Sequence, residues 1–358
     1  MGQAQTGASG SAENRPTVDL STAANTGAFL ARGGPPVSQG EAEVAVEELR
    51  AATMAAEGHV REITRLGAEL PLLPGDIVDR PGWVRAAADG LGALTEDVLR
   101  RPVSGLLGGV LAGGAGVQAG MVLAFLASRV LGQYDPFGTG GGRLLIVAPN
   151  VISAQRVMRV PADDFRLWVC LHESTHRLQF TAVPWLRDHF AAEVGNLLSA
   201  MDDSATDLAG RLPELMRAAR ERLTSREQLG GGLGLIELLQ APEQRKALRR
   251  LLALSTLLEG HADHVMDAVG PSVVPSVVTI RSRFTERRKG GGLLDRLLRV
   301  VLGVDAKVRQ YAEGAAFTTA VVDAVGMDGF NAVWTSPETL PSRREITEPR
   351  AWLHRVHG

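Results

Sequence analysis

Apolar residues recur at helical spacing over 41–70, through Leu49, Met54, Val60 and Ile63, and again over 84–100. Each stretch predicts an amphipathic helix with one face turned to a core. Residues 102–128 carry no charge, a length that could span a bilayer. Seven glycines interrupt the run, however, and Gln118 sits inside it. It reads as two closely packed core helices that bend at 113–116, and no membrane contact is expected. Glycines at 138 and 140–142 then lead into the clearest strand, 143–148. No Lys-Ser/Thr pair follows them, so they are not a phosphate loop. Residues 165–171 run without Pro or Gly and predict a helix, N-capped by Asp163 or Asp164 after Pro161. Helical periodicity covers 185–225 and 235–269, broken at Gly230-Gly231-Gly232 and ended by Pro271 and Pro275. The fold class is therefore mainly α with a small β-sheet.

The helix after Pro161 carries the chemistry. His172-Glu173-Ser174-Thr175-His176 is an H-E-x-x-H pattern. Residues four apart on a helix lie one above the other, so both imidazoles can reach one cation. Glu173 is placed to take a proton from a water held there. Apolar residues at 165, 168, 169 and 171 bury this helix and bring the histidines inside the protein. Two structural histidines would leave a glutamate buried beside them without a partner, a costly arrangement.

A third ligand must come from elsewhere. A metzincin would need Gly at 179 and His at 182, and the chain has Gln179 and Ala182. Glu193 is followed four residues on by Leu197, and Asp203 with Asp207 would make a rarer ligand set. Glu259 is followed by Asp263, on a helix preceded by the apolar run 251–258. A buried carboxylate pair at i, i+4 repels itself unless cations or histidines neutralise it. Glu259 is therefore the chosen ligand, with Asp263 orienting a ligand histidine from behind. His261 and His264 point roughly 160° and 140° away from Glu259 around the helix. Either is an alternative ligand if the other face is used, and His264 could also donate to a developing oxyanion. Tyr134 and Tyr311, the two tyrosines, are further candidates for that donation. Residues 143–150 are the candidate edge for an extended peptide, with a plain structural strand equally open.

Several longer stretches carry a family resemblance. They are Leu131-Gly132-Gln133-Tyr134-Asp135, the run from Leu144 to Asn150, Trp168 to Phe180, and Val183-Pro184-Trp185-Leu186. Glu259 to Asp267 and Lys307-Val308-Arg309-Gln310-Tyr311 complete the set. Together they resemble the bacterial, mainly actinobacterial, zincin-like type 2 metallopeptidases, some of which carry a label associating them with coenzyme F420 biosynthesis. The resemblance implies a zincin-like fold, zinc on His172, His176 and Glu259, and Glu173 as acid/base. It also implies that Arg177, unusual after the second histidine, suits the family.

Composition narrows the setting. A formal net charge of −2 argues against a dedicated nucleic-acid binder. The single cysteine, Cys170, excludes a disulfide framework and fits a reducing cytoplasm. Residues 1–7 lack the basic start and apolar core of a secretory leader, so a cytoplasmic location is expected. Lysine occurs only at 246, 289 and 307 while arginine abounds, as in a GC-rich genome. The densest basic patch, 281–289, reads as a solvated helix face, or alternatively as an anion contact. Residues 1–40 read as a disordered tail. Residues 41–358 read as one zincin-like domain with two helical subdomains flanking a metal cleft. The expected function is zinc-dependent hydrolysis of a peptide or protein substrate. The alternative is a catalytically silent scaffold that keeps the metal and binds a partner through the same cleft.

Overall fold

The computed structural model describes residues 19–99, 115–138, 140–199, 242–289 and 304–358. The order is α1 (Leu20–Leu30), α2 (Gln39–Thr64), β1 (Asp76–Val78), α3 (Arg80–Leu99), α4 (Ala115–Ala127), β2 (Gly132–Asp135) and β3 (Arg143–Val147). There follow α5 (Ala148–Met158), α6 (Ala162–Thr181), α7 (186–199), α8 (Pro242–Ala268), α9 (Gly270–Val273) and α10 (Val277–Lys289). The chain closes with α11 (Val304–Phe330), two 3-10 turns, α12 (Arg343–Thr347) and α13 (Pro349–His357). The fold is mainly helical with one small sheet, the class the sequence predicts.

The sheet has the order β1-β3-β2, with β1 parallel and β2 antiparallel to β3. β3 is therefore the central strand, with no free edge. Its residues 144–147 are all buried. Ile146 enters one core with Leu49, Val60, Phe165 and Leu171, while Leu145 and Val147 enter another with Trp83, Val84 and Ala127. An unbroken apolar run is what a strand covered on both faces requires. This corrects the expectation of a substrate edge at 143–150. The strand ends at Val147, and 148–150 already open α5. Asn150 is an interior clamp: its Nδ2 donates to the carbonyls of Ala127 and Val130 at 2.7 and 2.6 Å.

Other boundaries move for local reasons. Residues 20–30, within the expected tail, form α1, where Ala23 and Gly27 are buried. A Cβ on Gly27 would lie 2.9 Å from the Gly120 carbonyl oxygen, so only a residue this small lets α1 lie against α4. α2 stops at Thr64, where Arg65 turns to φ 58°. α3 begins at Arg80 because the Asp79 side chain accepts from the Gly82 amide at 2.7 Å. Of the expected hairpin over 102–128, α4 is one helix and residues 102–114 lie outside the described residues. Among the described residues, no helix is long and apolar enough to cross a membrane.

A third core joins α8 to α11 and the C-terminal helices through Leu257, Phe317, Phe330 and Trp352. α8 also reaches the first core with Val265 and Met266. It thus passes between two cores beside α6, which sets the position of the site.

A candidate metal centre

The N-cap of α6 is Pro161, not an aspartate. Asp163 and Asp164 sit in its first turn, where negative charge complements the helix dipole. The Asp164 carboxylate accepts instead from the Ser276 amide at 2.8 Å, tying α6 to the start of α10. Phe165, Trp168, Cys170, Leu171 and Leu178 are buried along α6. His172 and His176 emerge from it with side chains 20% and 15% exposed. α8 crosses α6 and delivers Glu259 to the same point.

The three converge through one atom each. His172 Nε2 and His176 Nε2 are 3.2 Å apart, and Glu259 Oε2 lies 3.4 and 3.8 Å from them. A tetrahedral cation about 2.0–2.2 Å from each ligand separates the ligand atoms by roughly 3.3–3.6 Å. The observed spacings of 3.2, 3.4 and 3.8 Å bracket that separation. Glu259 Oε2 is also buried without a hydrogen-bond partner. Burial alone would raise the Glu259 pKa, but the two histidines outweigh it and hold it well below the usual range. Burial would likewise depress His176, but Glu259 prevails and raises it to about 9. The trio thus has the geometry of a cation site, and these donors fit a divalent metal.

Glu173 is buried, and its side chain packs on β2. A Cβ at Gly132 would lie 2.6 Å from Glu173 Cγ, so glycine is required there. Burial raises the Glu173 pKa, Glu259 adds to the rise, and His172 and His176 oppose it. His172, Glu173, His176, Glu259, Asp263 and Tyr134 all line one cleft of about 780 Å³. Phe137, Phe180, Phe190, Leu91, Leu123 and Leu126 supply apolar lining. A cleft of this size, apolar with a few convergent polar groups, suits an organic substrate.

The supporting shell differs from the expectation. Asp263 holds neither histidine; its Oδ1 pairs with Arg281 Nη1 at 3.2 Å. Arg281 also donates to Asp267 at 2.6 Å, and Arg283 donates to the carbonyls of Met158 and Arg159. These two arginines of the basic patch therefore serve internal contacts. His172 Nδ1 meets Met266 Sδ at 3.3 Å, and His176 Nδ1 meets Gln179 Oε1 at 2.9 Å. His264 turns away to Thr319 Oγ1 at 3.1 Å and does not line the cleft, which removes it from oxyanion contact. His261 is fully buried against Phe330 and Trp334. Glu193 is buried and pairs with Arg250 at 2.7 Å. Asp203, Asp207 and the Tyr311 side chain lie outside the described residues. Sequence reasoning missed Gln179 and Gly132. Gln179 follows His176 by three residues on the same face, a signal that was available; nothing local marks Gly132.

Arg177 points away from the cleft. It pairs with buried Glu57 at 2.5 Å and donates to the carbonyls of Leu73 and Pro74. The charge after the second histidine is thus a tether to α2.

Two histidines of an H-E-x-x-H helix and a glutamate from a second buried helix define the ligand arrangement of a zincin-type metalloprotein. The chain belongs to the zincin-like metallopeptidase family, whose model matches residues 18–353. It is similar to a crystal structure from Chloroflexus aurantiacus described as "a putative hydrolase with a novel fold". That similarity is 29% identity with a TM-score of 0.65, covering 95% of this chain and 99% of that one. No curated protein matches the chain.

Proposed function

We propose that this protein is a single-zinc peptidase, with the ion held by His172, His176 and Glu259. The observation that carries the reading is the convergence of the two Nε2 atoms and Glu259 Oε2 at 3.2–3.8 Å on the wall of the cleft. When bound, zinc supplies Lewis acidity, making water acidic near neutral pH and polarising an amide carbonyl. Glu173 takes the proton of the attacking water on a carboxylate oxygen and delivers it to the leaving amine nitrogen. Its burial favours this exchange, because a raised carboxyl pKa narrows the gap between its two protonation states. Tyr134 lines the same cleft beside Phe180, but its hydroxyl is turned to Gly142, so no oxyanion contact is assigned to it.

β2 takes the role first expected of β3. It pairs with β3 on one side, and its residues 132–135 line the cleft. An extended peptide would add its backbone along that strand, with Gly132 bringing it close to Glu173. The substrate class proposed is thus an unfolded or extended peptide segment.

The test is digestion of a broad peptide library by purified, zinc-loaded protein. Cleavage should occur, disappear with chelator and disappear in Glu173→Gln, while Glu173→Gln retains its zinc. Sustained turnover by that variant contradicts the mechanism. A zinc-loaded wild type that cuts nothing, but melts much earlier with chelator, assigns the cleft to partner binding instead.

A further inference from the structure

We infer that Gln179 is a positioning residue of this centre: it fixes His176 in the tautomer that carries its proton on Nδ1 and leaves the Nε2 lone pair for the cation. The inference rests on the metal reading above. Gln179 is fully buried on α6, one turn beyond His176. One of its amide atoms lies 3.0 Å from the Leu258 carbonyl oxygen and 3.0 Å from His261 Nδ1. The other lies 2.9 Å from His176 Nδ1.

The chemistry of these partners leaves a single consistent assignment. A backbone carbonyl oxygen only accepts, so the amide atom facing Leu258 must be the NH2 group. The atom facing His176 is then the amide oxygen, which also only accepts. His176 Nδ1 must therefore donate. A neutral imidazole protonated on Nδ1 has its lone pair on Nε2. That is the atom 3.2 Å from His172 Nε2 and 3.8 Å from Glu259 Oε2. With the NH2 group so placed, His261 Nδ1 accepts from it as well.

The order therefore begins in the backbone of α8. Leu258 immediately precedes Glu259, so the helix that supplies one ligand also sets the tautomer of another, through one side chain. His172 has no equivalent: its Nδ1 faces the thioether of Met266, a weak acceptor. Loss of Gln179 thus releases the more firmly held of the two imidazoles.

The experiment uses the full-length, zinc-loaded chain. Long-range proton–nitrogen spectra of protein labelled with nitrogen-15 histidine report each ring nitrogen, with His176 assigned by its loss in His176→Ala. The expected wild-type spectrum has His176 protonated at Nδ1 and bound through Nε2. Gln179→Met should lower zinc affinity about 10- to 100-fold in competition with a chromophoric chelator, the usual effect of removing such a partner. A role confined to packing would lower the melting temperature and leave affinity and spectrum unchanged, which overturns the inference. Coordination of His176 through Nδ1 overturns it as well. If Gln179→Met does not fold, the wild-type spectrum decides. A wild type that binds no zinc fails the metal reading itself, a different result from either.

Discussion

Glu57→Gln tests why an arginine follows the second histidine. Glu57 is 1% exposed and lies between two guanidinium groups. Arg177 approaches one carboxylate oxygen and Arg61 the other, each at 2.5 Å. Arg61 also donates to the carbonyls of Leu70 and Pro71 at 2.7 and 3.0 Å. One carboxylate thus balances two cations and links α2, α6 and the 70–74 loop. Glutamine keeps the shape and one acceptor, but removes the charge and turns a donor toward an arginine. Removing one member of a buried pair costs about 3–5 kcal/mol. The Arg61 side chain is 17% exposed and can recover some hydration, which places the expected loss near the lower end, about 3 kcal/mol. Urea unfolding of the zinc-loaded protein is the assay. The midpoint should fall with the slope unchanged. Zinc content should also be unchanged, because Glu57 touches none of the three proposed ligands. Glu57→Gln combined with Arg177→Met should cost less than the two changes summed. A loss under about 1 kcal/mol, the value of an exposed pair, would refute the view that this cluster anchors the metal helix.

Three further outcomes follow from close contacts and burial. Gly132→Ala places a Cβ 2.6 Å from Glu173 Cγ. Displacing an acid/base by about 1 Å should lower kcat on the order of 100-fold while zinc stays bound, and an unchanged kcat in steady-state kinetics speaks against Glu173 as the proton carrier. Gly260→Ala drives a Cβ to 2.1 Å from the Gly314 carbonyl carbon, forcing α8 from α11. It should cost at least about 1–3 kcal/mol in a denaturant titration and weaken zinc binding through its neighbour Glu259; wild-type values for both would show that the helices separate freely. Burial, with the nearby Glu173 carboxylate, pushes the Cys170 thiol far above its ordinary range, so it stays protonated at pH 8. Iodoacetamide should modify Cys170 only as the protein unfolds, and prompt labelling of native protein would contradict that burial.

The parts of the site legible in sequence are those set by local periodicity. Histidines at i and i+4 define a face wherever a helix forms, and the apolar run before Glu259 marks a helix whose carboxylates need neutralising. What neutralises each carboxylate is tertiary. Glu259 meets the histidines of α6, whereas Asp263 meets Arg281 of α10, and spacing along α8 treats the two alike. The strand expected at 143–148 is present, but its reading as an edge failed for a reason the sequence did contain. Leu144-Leu145-Ile146-Val147 is apolar at every position, which signals a strand covered on both faces and hence a central one. β2, Gly132-Gln133-Tyr134-Asp135, is short and mixed, so only its pairing with β3 reveals it. α1 shows the limit of composition. Glycine lowers helix stability in isolation, yet at Gly27 and Gly120 it permits the close approach that holds this helix in place.

The most direct test of the central claim is an anomalous difference map at the zinc absorption edge, from a crystal of the zinc-loaded protein. The account predicts one peak about 2.0–2.2 Å from His172 Nε2, His176 Nε2 and a Glu259 carboxylate oxygen, with Glu173 beside it but not bound. A peak held by Glu193, His261 or His264 in place of Glu259, or no peak between the two histidines, would contradict it.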